Sequence, residues 1–284
     1  MKTTILGLLA ETFIHPGAES TSGGAIDKPV NREASTQYPY VPGSGVKGAL
    51  REKARTTWGV ADDDPKVTVC FGEPDKAGLI LPFDAKLLLL PVRSLNSQYR
   101  WLTCPLLLER YLRDLKFCGQ TAPFELPTVG KHSVLSFGEG SLFLEEQMFS
   151  LVGSAPADVC RALRQLIPHG TTEQRLDTQL CILHNEDFQW FASYGLPVTA
   201  RNCLDNDTKQ SKNLWYEESL PPDSLFYCLI AEREEVEKTG LETLFTEHPY
   251  LRLGGNETVG QGWFAVAMRQ PEELCGRPGG NRDE

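Results

Sequence analysis

The sequence of 284 residues lacks a hydrophobic run long enough to cross a lipid bilayer. Its longest apolar stretch lies around residues 87–92. The first residues contain one lysine and an early Glu11, without the small-residue cleavage site of a signal peptide. We therefore expect a soluble, cytoplasmic protein that has no membrane partner.

The sequence also lacks a cysteine pattern of the kind that binds zinc. None of its eight cysteines forms a C-x-x-C pair, and none lies near a histidine at zinc-ligand spacing. This absence predicts scattered reduced thiols, many of them in the core, rather than a metal-binding module or a disulfide framework.

A net positive charge is absent as well. The chain has 38 acidic residues against 28 lysines and arginines, for a net charge of −10. This balance excludes a protein that coats nucleic acid indiscriminately. The charge is uneven, because residues 28–55 carry six basic residues against two acidic ones and residues 217–247 carry nine acidic residues against two basic ones. The basic segment can bind a phosphate backbone locally. The acidic face around 232–247 fits either a docking site or a solvated helix.

Strand and helix patterns alternate along the chain without a repeat or a linker, which predicts one mixed α+β domain over 1–284. Strands are predicted at 3–10, 79–93, 142–149, 179–191, 225–231 and 263–268, and helices after Ser44 and at 105–115, 157–166 and 233–245. Residues 60–78 predict an inserted surface loop, and residues 196–220 predict two strands around a polar turn. We expect a mobile tail over 271–284.

Small residues mark the start of the first predicted helix. The run Gly43–Gly48 has the spacing of a dinucleotide-binding loop, but no acidic strand end follows about 20 residues later. Backbone N–H groups at such a helix start can bind an anion, and Lys47 and Arg51 lie on one helix face beside it. The pattern predicts a phosphate clamp. A purely structural cap at Ser44 is the alternative.

Two further segments are rich in glycine. The run 253–262 has four glycines, which permit close approach of the backbone to a ligand, although a hairpin turn explains them nearly as well. The other segment runs from His15 to Glu33 and places Asp27 between Lys28 and Arg32. Such a loop can bring a carboxylate to a phosphodiester held by cations, which suits RNA strand cleavage. An aspartate in an ordinary turn, with a histidine that only packs, is the alternative.

The predicted hairpin at 196–220 combines cations and aromatic side chains. Its arm and base carry Arg201, Asn202, Lys209, Lys212, Trp215, Tyr216, Glu217 and Glu218. Aromatic faces stack on bases without reading their sequence, so this arm suits single-stranded or splayed RNA. An edge hairpin with its aromatics in the core is the alternative.

Taken in order, these segments resemble the backbone subunits of the type III-B CRISPR effector, the Cmr complex, within the RAMP superfamily. The matching segments are 15–17 (HPG), 26–33 (IDKPVNRE), 38–52 (YPYVPGSGVKGALRE), 84–95, 101–112, 204–226 and 253–262. One departure is Gly45, where the family often has a second serine.

The resemblance implies an RRM-like (ferredoxin-like) palm with inserted segments and a β-hairpin thumb, here 196–220. It implies that copies stack into a helical filament on a guide RNA, together with other Cmr-complex subunits. A complementary target RNA is then cut at regular intervals in antiviral defence, by an aspartate that uses a divalent metal ion such as magnesium or manganese. That aspartate corresponds to Asp27, which is also the expected metal ligand. A non-catalytic RNA scaffold of the same fold is the alternative.

The resemblance also assigns supporting residues. His15, Tyr216 and Glu217 correspond to positions near the family's cleavage site. The expected RNA-binding residues are Ser44, Lys47, Arg51, Arg32, Arg201, Gly254, Gly255, Asn256 and Thr258.

Overall fold

The computed structural model describes residues 1–18, 25–233 and 239–275. The strands are β1 (Lys2–Ala10), β2 (Tyr40–Val41), β3 (Gly72–Glu73), β4 (Lys76–Ala77), β5 (Ile80–Pro82), β6 (Ala85–Ser94), β7 (Ser97–Thr103), β8 (Ser133–Leu135), β9 (Ser141–Leu144), β10 (Gln147–Gly153), β11 (Leu180–Leu183), β12 (Val198–Leu204), β13 (Ser211–Glu218), β14 (Leu225–Glu232), β15 (Tyr250–Arg252) and β16 (Trp263–Arg269). The α-helices are α1 (Gly43–Trp58), α2 (Pro65–Phe71), α3 (Pro105–Phe117), α4 (Ala157–Arg164), α5 (Gly170–Glu173), α6 (Leu176–Gln179), α7 (Asn185–Tyr194) and α8 (Pro271–Leu274).

One sheet of twelve strands organises the described part of the chain, and its main path is β15-β16-β1-β14-β6-β7-β11-β8-β10-β9. Four long strands in this path, β16, β1, β14 and β6, lie side by side, and each is antiparallel to its neighbours. Two pairs, β7 with β11 and β8 with β10, are parallel. The predicted α+β class is therefore confirmed.

The central strands are buried on both faces. All eight residues of β14 are buried, and β1 is buried from Thr4 to Ala10. This explains why both strands are nearly continuous apolar runs rather than alternating ones. Gly7 lies where the chain after α4 crosses β1, because a Cβ atom there would stand 2.1 Å from the carbonyl oxygen of Leu166. Only glycine permits this approach.

Helix α1 begins two residues earlier than the cap at Ser44 predicts, and Ser44 is not the N-cap. Pro42 occupies the cap position in an extended conformation, so no side chain of its own caps the helix. Asp84 takes over this role from outside the helix, since its carboxylate accepts the Gly43 N–H at 2.7 Å. The helix packs on the sheet through Val46, Leu50 and Ala54.

The segment 60–78 is more ordered than the surface loop that the sequence predicts. It contains α2 and the small β3–β4 hairpin, and the α2 residues Val67, Cys70 and Phe71 are buried. The carboxylate of Asp64 accepts the Lys66 N–H at 2.8 Å and so caps α2. An aspartate before a proline is itself a helix-start signal, which the polar composition of the segment obscured.

Two other predicted elements differ from the structure. The strand predicted at 179–191 is wrong in its second half, because β11 ends at Leu183 and α7 follows it. The helix predicted at 233–245 falls partly on residues 234–238, which lie outside the described residues. Its described end is a short 3₁₀-helix, Leu241–Phe245. The same gap interrupts the acidic face at 232–247.

The expected tail at 271–284 begins with α8, whose Pro271 and Leu274 are buried. Residues 276–284 lie outside the described residues. No helix in the described ranges has both the length and the apolar composition needed to span a membrane.

The eight cysteines are free thiols, and five of them are buried, as predicted for core residues. Burial raises the pKa of the Cys160 thiol to about 11 and that of Cys181 to about 12. These thiols therefore stay protonated near neutral pH and act as small apolar side chains.

Candidate functional site

The hairpin predicted at 196–220 is present and forms a sheet of its own. Strands β12 and β13 pair only with each other in that sheet and are antiparallel, with Ala200 opposite Tyr216 and Arg201 opposite Trp215. Every residue of β12 is exposed or half-exposed. We call the segment Val198–Glu218 the ribbon. It presents both of its faces to the surroundings over most of its length.

The segment 25–33, which we call the Asp27 loop, is held against the end of β13. The N–H groups of Asp27 and Lys28 both donate to the Tyr216 carbonyl oxygen at 3.1 Å. In return the Tyr216 N–H donates to Asp27 Oδ2 at 2.7 Å. Both residues are exposed, and Asp27 Oδ1 accepts no hydrogen bond from the described residues. The structure thus brings Asp27 and Tyr216 together and leaves one carboxylate oxygen open.

The residues next in sequence to Asp27 and Tyr216 form a cation–π pair. Lys28 is exposed, and its Nζ lies 4.7 Å from the centre of the Trp215 ring. The ring attracts the ammonium group through its electron-rich face, so Lys28 is oriented without losing its charge to a carboxylate. The residue that follows Asp27 in the chain thus keeps an exposed positive charge on the ribbon.

Glu218 connects more of the Asp27 loop than any residue that the sequence singled out. Its carboxylate accepts the Val30 N–H at 3.0 Å and the Arg32 guanidinium at 2.6 Å. Its own N–H donates to the Lys28 carbonyl oxygen at 3.0 Å. Only 3% of Glu218 is exposed. Strand alternation is the one sequence signal for this role, because it turns Glu217 and Glu218 to opposite faces of β13.

His15 is buried between the end of β13 and the glycine loop, residues 254–260. Its Nδ1 lies 2.7 Å from the Glu218 carbonyl oxygen. A carbonyl only accepts, so this hydrogen bond assigns the proton to Nδ1 and leaves a lone pair on Nε2 of the neutral ring. The His15 carbonyl oxygen accepts the Gly255 N–H at 2.8 Å. A Cβ at Gly254, whose φ is +91°, would stand 2.7 Å from that oxygen, which explains the glycine.

Glu217 faces the other side of β13 and only 2% of it is exposed. Its carboxylate accepts from Arg201 at 3.2 Å and from the Asn256 side-chain amide. Asn256 also donates to Gln261 at 2.8 Å. The resemblance places Glu217 near the cleavage site as a catalytic residue. In the structure its buried carboxylate joins the ribbon to the glycine loop, and both of these hydrogen bonds end on Oε1. The catalytic role of Glu217 stays a prediction.

A groove of about 700 Å³ separates α1 from the glycine loop. Its walls include Ser44, Gly45, Lys53, Gly254, Gly255 and Trp263. The predicted RNA-binding residues Ser44, Gly254 and Gly255 are therefore brought together, and Lys53 is a lining cation that the predictions missed. Burial lowers the pKa of the Lys53 amine. Thr258 is exposed in the 3₁₀-helix Glu257–Val259, outside the groove lining.

Lys47 and Arg51 lie on the neighbouring face of α1, in a second hollow of about 620 Å³. Arg51 is committed to protein partners, since it binds the Asp62 carboxylate at 2.8 and 3.2 Å and the Gly72 carbonyl oxygen at 2.8 Å. The hydrogen bond from Arg51 also lowers the pKa of the Asp62 carboxyl. Lys47 makes no ion pair with the described residues. The predicted clamp therefore has one available cation and one that anchors the 60–78 segment to α1.

Arg32 is engaged in the same way as Arg51. Its side chain is 14% exposed and donates to Glu218, to the Gln37 carbonyl oxygen at 2.9 Å and to the Ala192 carbonyl oxygen. Arg201 pairs with Glu217. Three of the four cations predicted to bind RNA thus have carboxylate partners. The sequence shows where the charges are but not what neutralises them.

The acidic side chains at this site can supply part of a metal ion's ligands but not a complete set. Within 1–18, 25–233 and 239–275, no group of three His, Cys, Asp or Glu side chains could hold a metal. Asp27 offers one open carboxylate oxygen. Magnesium commonly keeps several waters and binds one or two carboxylates together with substrate phosphates. The donor set therefore fits a hydrated ion held jointly with a phosphate, and it does not fit a cage made by this chain.

Comparison with known proteins places this arrangement in a family. The model of the RAMP superfamily matches residues 8–265. A Pyrococcus furiosus protein named CRISPR system Cmr endoribonuclease Cmr4 is 30% identical over 289 residues, which cover 95% of this chain and 97% of that protein.

Solved structures agree with this result. The crystal structure of oligomeric Cmr4 from Pyrococcus furiosus has a TM-score of 0.74 at 28% identity and covers 95% of this chain and 98% of that chain. A chain in the cryo-EM structure of the type III-B Cmr-beta complex bound to cognate target RNA shares the fold, with a TM-score of 0.75 at 21% identity and coverage of 96% and 99%. The chain therefore belongs to the RAMP superfamily and, within it, to the Cmr4 family of CRISPR proteins.

Proposed function

We propose that this chain is a guide-RNA-binding filament subunit of a type III-B CRISPR effector and that it cleaves complementary target RNA at regular intervals in antiviral defence. One observation carries the proposal: Asp27 lies at the base of an exposed ribbon with one carboxylate oxygen open. The named activity of the Pyrococcus furiosus relative and the RNA-bound Cmr-beta structure support it. The partners are guide RNA, target RNA, further copies of the chain and other Cmr subunits, in the cytoplasm.

In this proposal the sheet core is an RRM-like (ferredoxin-like) palm and the ribbon is its thumb. The order β16-β1-β14-β6 supports the palm, because the last, first, third and second of these strands in the chain lie side by side and antiparallel. The separate two-stranded sheet of the ribbon supports the thumb.

The cleavage step follows from the groups at the Asp27 loop. Asp27 Oδ1 accepts the proton of a target 2′-hydroxyl, and the 2′-oxygen attacks the adjacent phosphorus. The bond to the 5′-oxygen breaks, and that oxygen takes up a proton from water. The products are a 2′,3′-cyclic phosphate and a 5′-hydroxyl end. Lys28 stabilises the negative charge that develops on the phosphate, and the exposed ring of Tyr216 stacks on a base beside the cut.

A divalent metal ion, magnesium or manganese, completes this proposal. Asp27 is the residue of this chain that would hold it, together with phosphate oxygens of the RNA, and this role is the alternative to direct proton acceptance because Asp27 has one open carboxylate oxygen. When bound, the ion would supply positive charge next to the scissile phosphate. His15 supports the site by holding the glycine loop through its carbonyl oxygen and β13 through its ring.

The groove between α1 and the glycine loop is the proposed path of the guide backbone. Ser44, Gly254 and Gly255 bring backbone groups to it, and Lys53 brings a cation. Lys47 brings a second cation to the neighbouring hollow on α1. Asn256 and Thr258 belong to the same glycine loop. Arg32, Arg51 and Arg201 contribute by holding in place the segments that contact RNA, since each already pairs with a carboxylate.

The test is Asp27→Ala in the complex assembled with guide RNA and the companion subunits. Loss of a general base predicts a fall in cleavage rate of about 10²-fold or more. Guide content and target affinity should stay at the wild-type level. The matched control is Asp75→Ala, which removes an exposed carboxylate from the β3–β4 turn. A target with one deoxynucleotide at the scissile position should bind and stay intact, and cleavage of it at the full rate would refute the mechanism.

The hydrogen bond from the Tyr216 N–H to Asp27 favours a second candidate, a non-catalytic scaffold in which Asp27 only ties the loop to the ribbon. A scaffold predicts that the wild-type complex binds target RNA without cutting it at regular spacing. It also predicts that Asp27→Ala impairs assembly.

A further inference from the structure

We propose that Glu218 is a positioning residue that sets the Asp27 loop in register with the ribbon for cleavage. The inference rests on the proposed function, because it concerns how Asp27 is held at the scissile phosphate. The sequence indicates Glu218 only as part of the hairpin base, and nothing in the resemblance assigns it a role.

The contacts of Glu218 converge on the Asp27 loop. One carboxylate oxygen accepts the Val30 N–H at 3.0 Å and the other accepts the Arg32 guanidinium at 2.6 Å. The Glu218 N–H donates to the Lys28 carbonyl oxygen at 3.0 Å. Alternate residues of the loop, 28, 30 and 32, are therefore all bound to one residue of β13. The loop acts as an added parallel strand at this edge, as the bridge between Lys28 and Glu217 also shows.

Because these contacts are buried, breaking them is costly in free energy. The carboxylate of Glu218 is 4% exposed and the Arg32 side chain is 14% exposed. A buried charge that loses its partner is costly, so the pair is maintained only when the loop and β13 keep one relative position. Backbone pairing alone would tolerate a slip of the loop along β13. The ion pair and the Val30 contact together select one register.

This register determines where Asp27 lies. Asp27 directly precedes Lys28, and its carboxylate meets the Tyr216 N–H two residues before Glu218 on β13. A slip of the loop moves the open oxygen of Asp27 away from the surface beside Tyr216. A displacement of about 1 Å can lower a reaction rate by about 10²-fold. Binding of the guide along the groove and of the target beside the ribbon does not depend on that oxygen.

Glu218→Ala in the assembled complex tests the inference. We expect the cleavage rate at saturating target to fall by about 10- to 100-fold. The target dissociation constant and the guide content should stay within about twofold of the wild type, a split that general unfolding does not produce. Hydrogen exchange at the Val30 amide should become faster, because that N–H loses its acceptor.

The matched control is Asp114→Ala, which removes the carboxylate of another partly buried ion pair. Asp114 binds Lys86 at 2.7 Å, and their side chains are 18% and 28% exposed. The control should lower the unfolding midpoint without changing cleavage or exchange at Val30. Glu218→Gln keeps the side-chain shape and decides the question if Glu218→Ala does not assemble, with an expected loss of rate of at least about threefold.

The outcomes separate the two proposals. Wild-type cleavage rates in both Glu218 variants would overturn the inference, as would an equal loss of target affinity and rate. A wild-type complex that binds target without cutting it would overturn the proposed function instead.

Discussion

Strand β14 and the ribbon are built from strands of similar length but are stabilised in opposite ways. All eight residues of β14 are buried, and the strand pairs with β1 on one side and with β5 and β6 on the other. In the ribbon, Leu214 is 55% exposed and Tyr216 is 45% exposed. Burial of apolar surface therefore stabilises the sheet core, whereas the ribbon gains almost nothing from it.

The ribbon is held at its two ends instead. At its base, Glu217 pairs with Arg201 and Asn256. At its tip, Asp205 accepts two backbone N–H groups and pairs with Lys212. An isolated two-stranded hairpin is marginally stable in water, so polar contacts at the ends are what fix it. The apolar residues between the ends, such as Leu214, stay exposed.

The largest difference between the two regions should appear in unfolding free energy. Phe226 in β14 is fully buried, and Phe226→Ala should lower the unfolding free energy by about 3–5 kcal/mol through lost contacts and a cavity. Leu214→Ala in the ribbon should change it by less than about 0.5 kcal/mol. Urea denaturation measures both values. Similar losses in the two variants would show that the ribbon has a core of its own.

A smaller effect is expected at the base of the ribbon. Arg201→Ala leaves the buried Glu217 carboxylate with Asn256 as its side-chain partner. We expect a loss of about 1–3 kcal/mol in urea denaturation, because an acceptor is left under-satisfied. Arg201→Lys, the control that keeps the charge, should recover part of the loss. A loss equal to that of Phe226→Ala would make the base part of the core.

The same contrast explains what the sequence could predict. Buried strands and helices show characteristic patterns of apolar residues in the sequence. The sequence therefore predicts β1, β14, β16 and the helix after Pro105 within a few residues. The two strands of the ribbon were also predicted, from the polar turn between them. The strand at 179–191 failed because α7 carries aromatic residues that also suit a strand.

The candidate site was predictable in its residues but not in its contacts. Asp27, His15 and Tyr216 were identified, and the structure brings them to one end of β13. The partners of Arg32 and Arg51 were not, because an ion pair between distant segments leaves no periodic trace in a sequence. For the same reason Glu218 was noted only as part of the hairpin base.

The salt dependence of RNA binding should change in Lys47→Ala but not in Tyr216→Ala. Lys47 has no ion-pair partner among the described residues, so Lys47→Ala should reduce the slope of log affinity against log salt by about 1. Tyr216→Ala should weaken binding by about 1 kcal/mol with an unchanged slope, since stacking releases no counterions. Its backbone contacts to Asp27 persist. Titration of the assembled complex with target RNA at several salt concentrations measures both effects.

Arg51→Ala is the control for Lys47→Ala. Because Arg51 is bound to Asp62 and Gly72, its removal should loosen the 60–78 segment and change the salt slope less than Lys47→Ala does. An equal change in slope would mean that Arg51 leaves Asp62 when RNA binds.

The smallest effect should appear at the ribbon tip and depend on pH. The hydrogen bond from Lys212, followed by those from the Thr208 and Asp207 N–H groups, lowers the pKa of Asp205 from 3.8 to about 2. The pKa of Asp205 is lower in the folded state than in the unfolded state. Its contribution to the stability of the ribbon tip is therefore complete above the unfolded pKa. It is lost as the pH falls through the folded value. The protection of the Thr208 amide against hydrogen exchange, taken relative to the intrinsic rate at each pH, should fall over this interval. In Asp205→Asn this protection should be low throughout, without that pH step. Because the tip supports only the turn and not the core, global unfolding free energy should be nearly the same in the variant and the wild type at neutral pH.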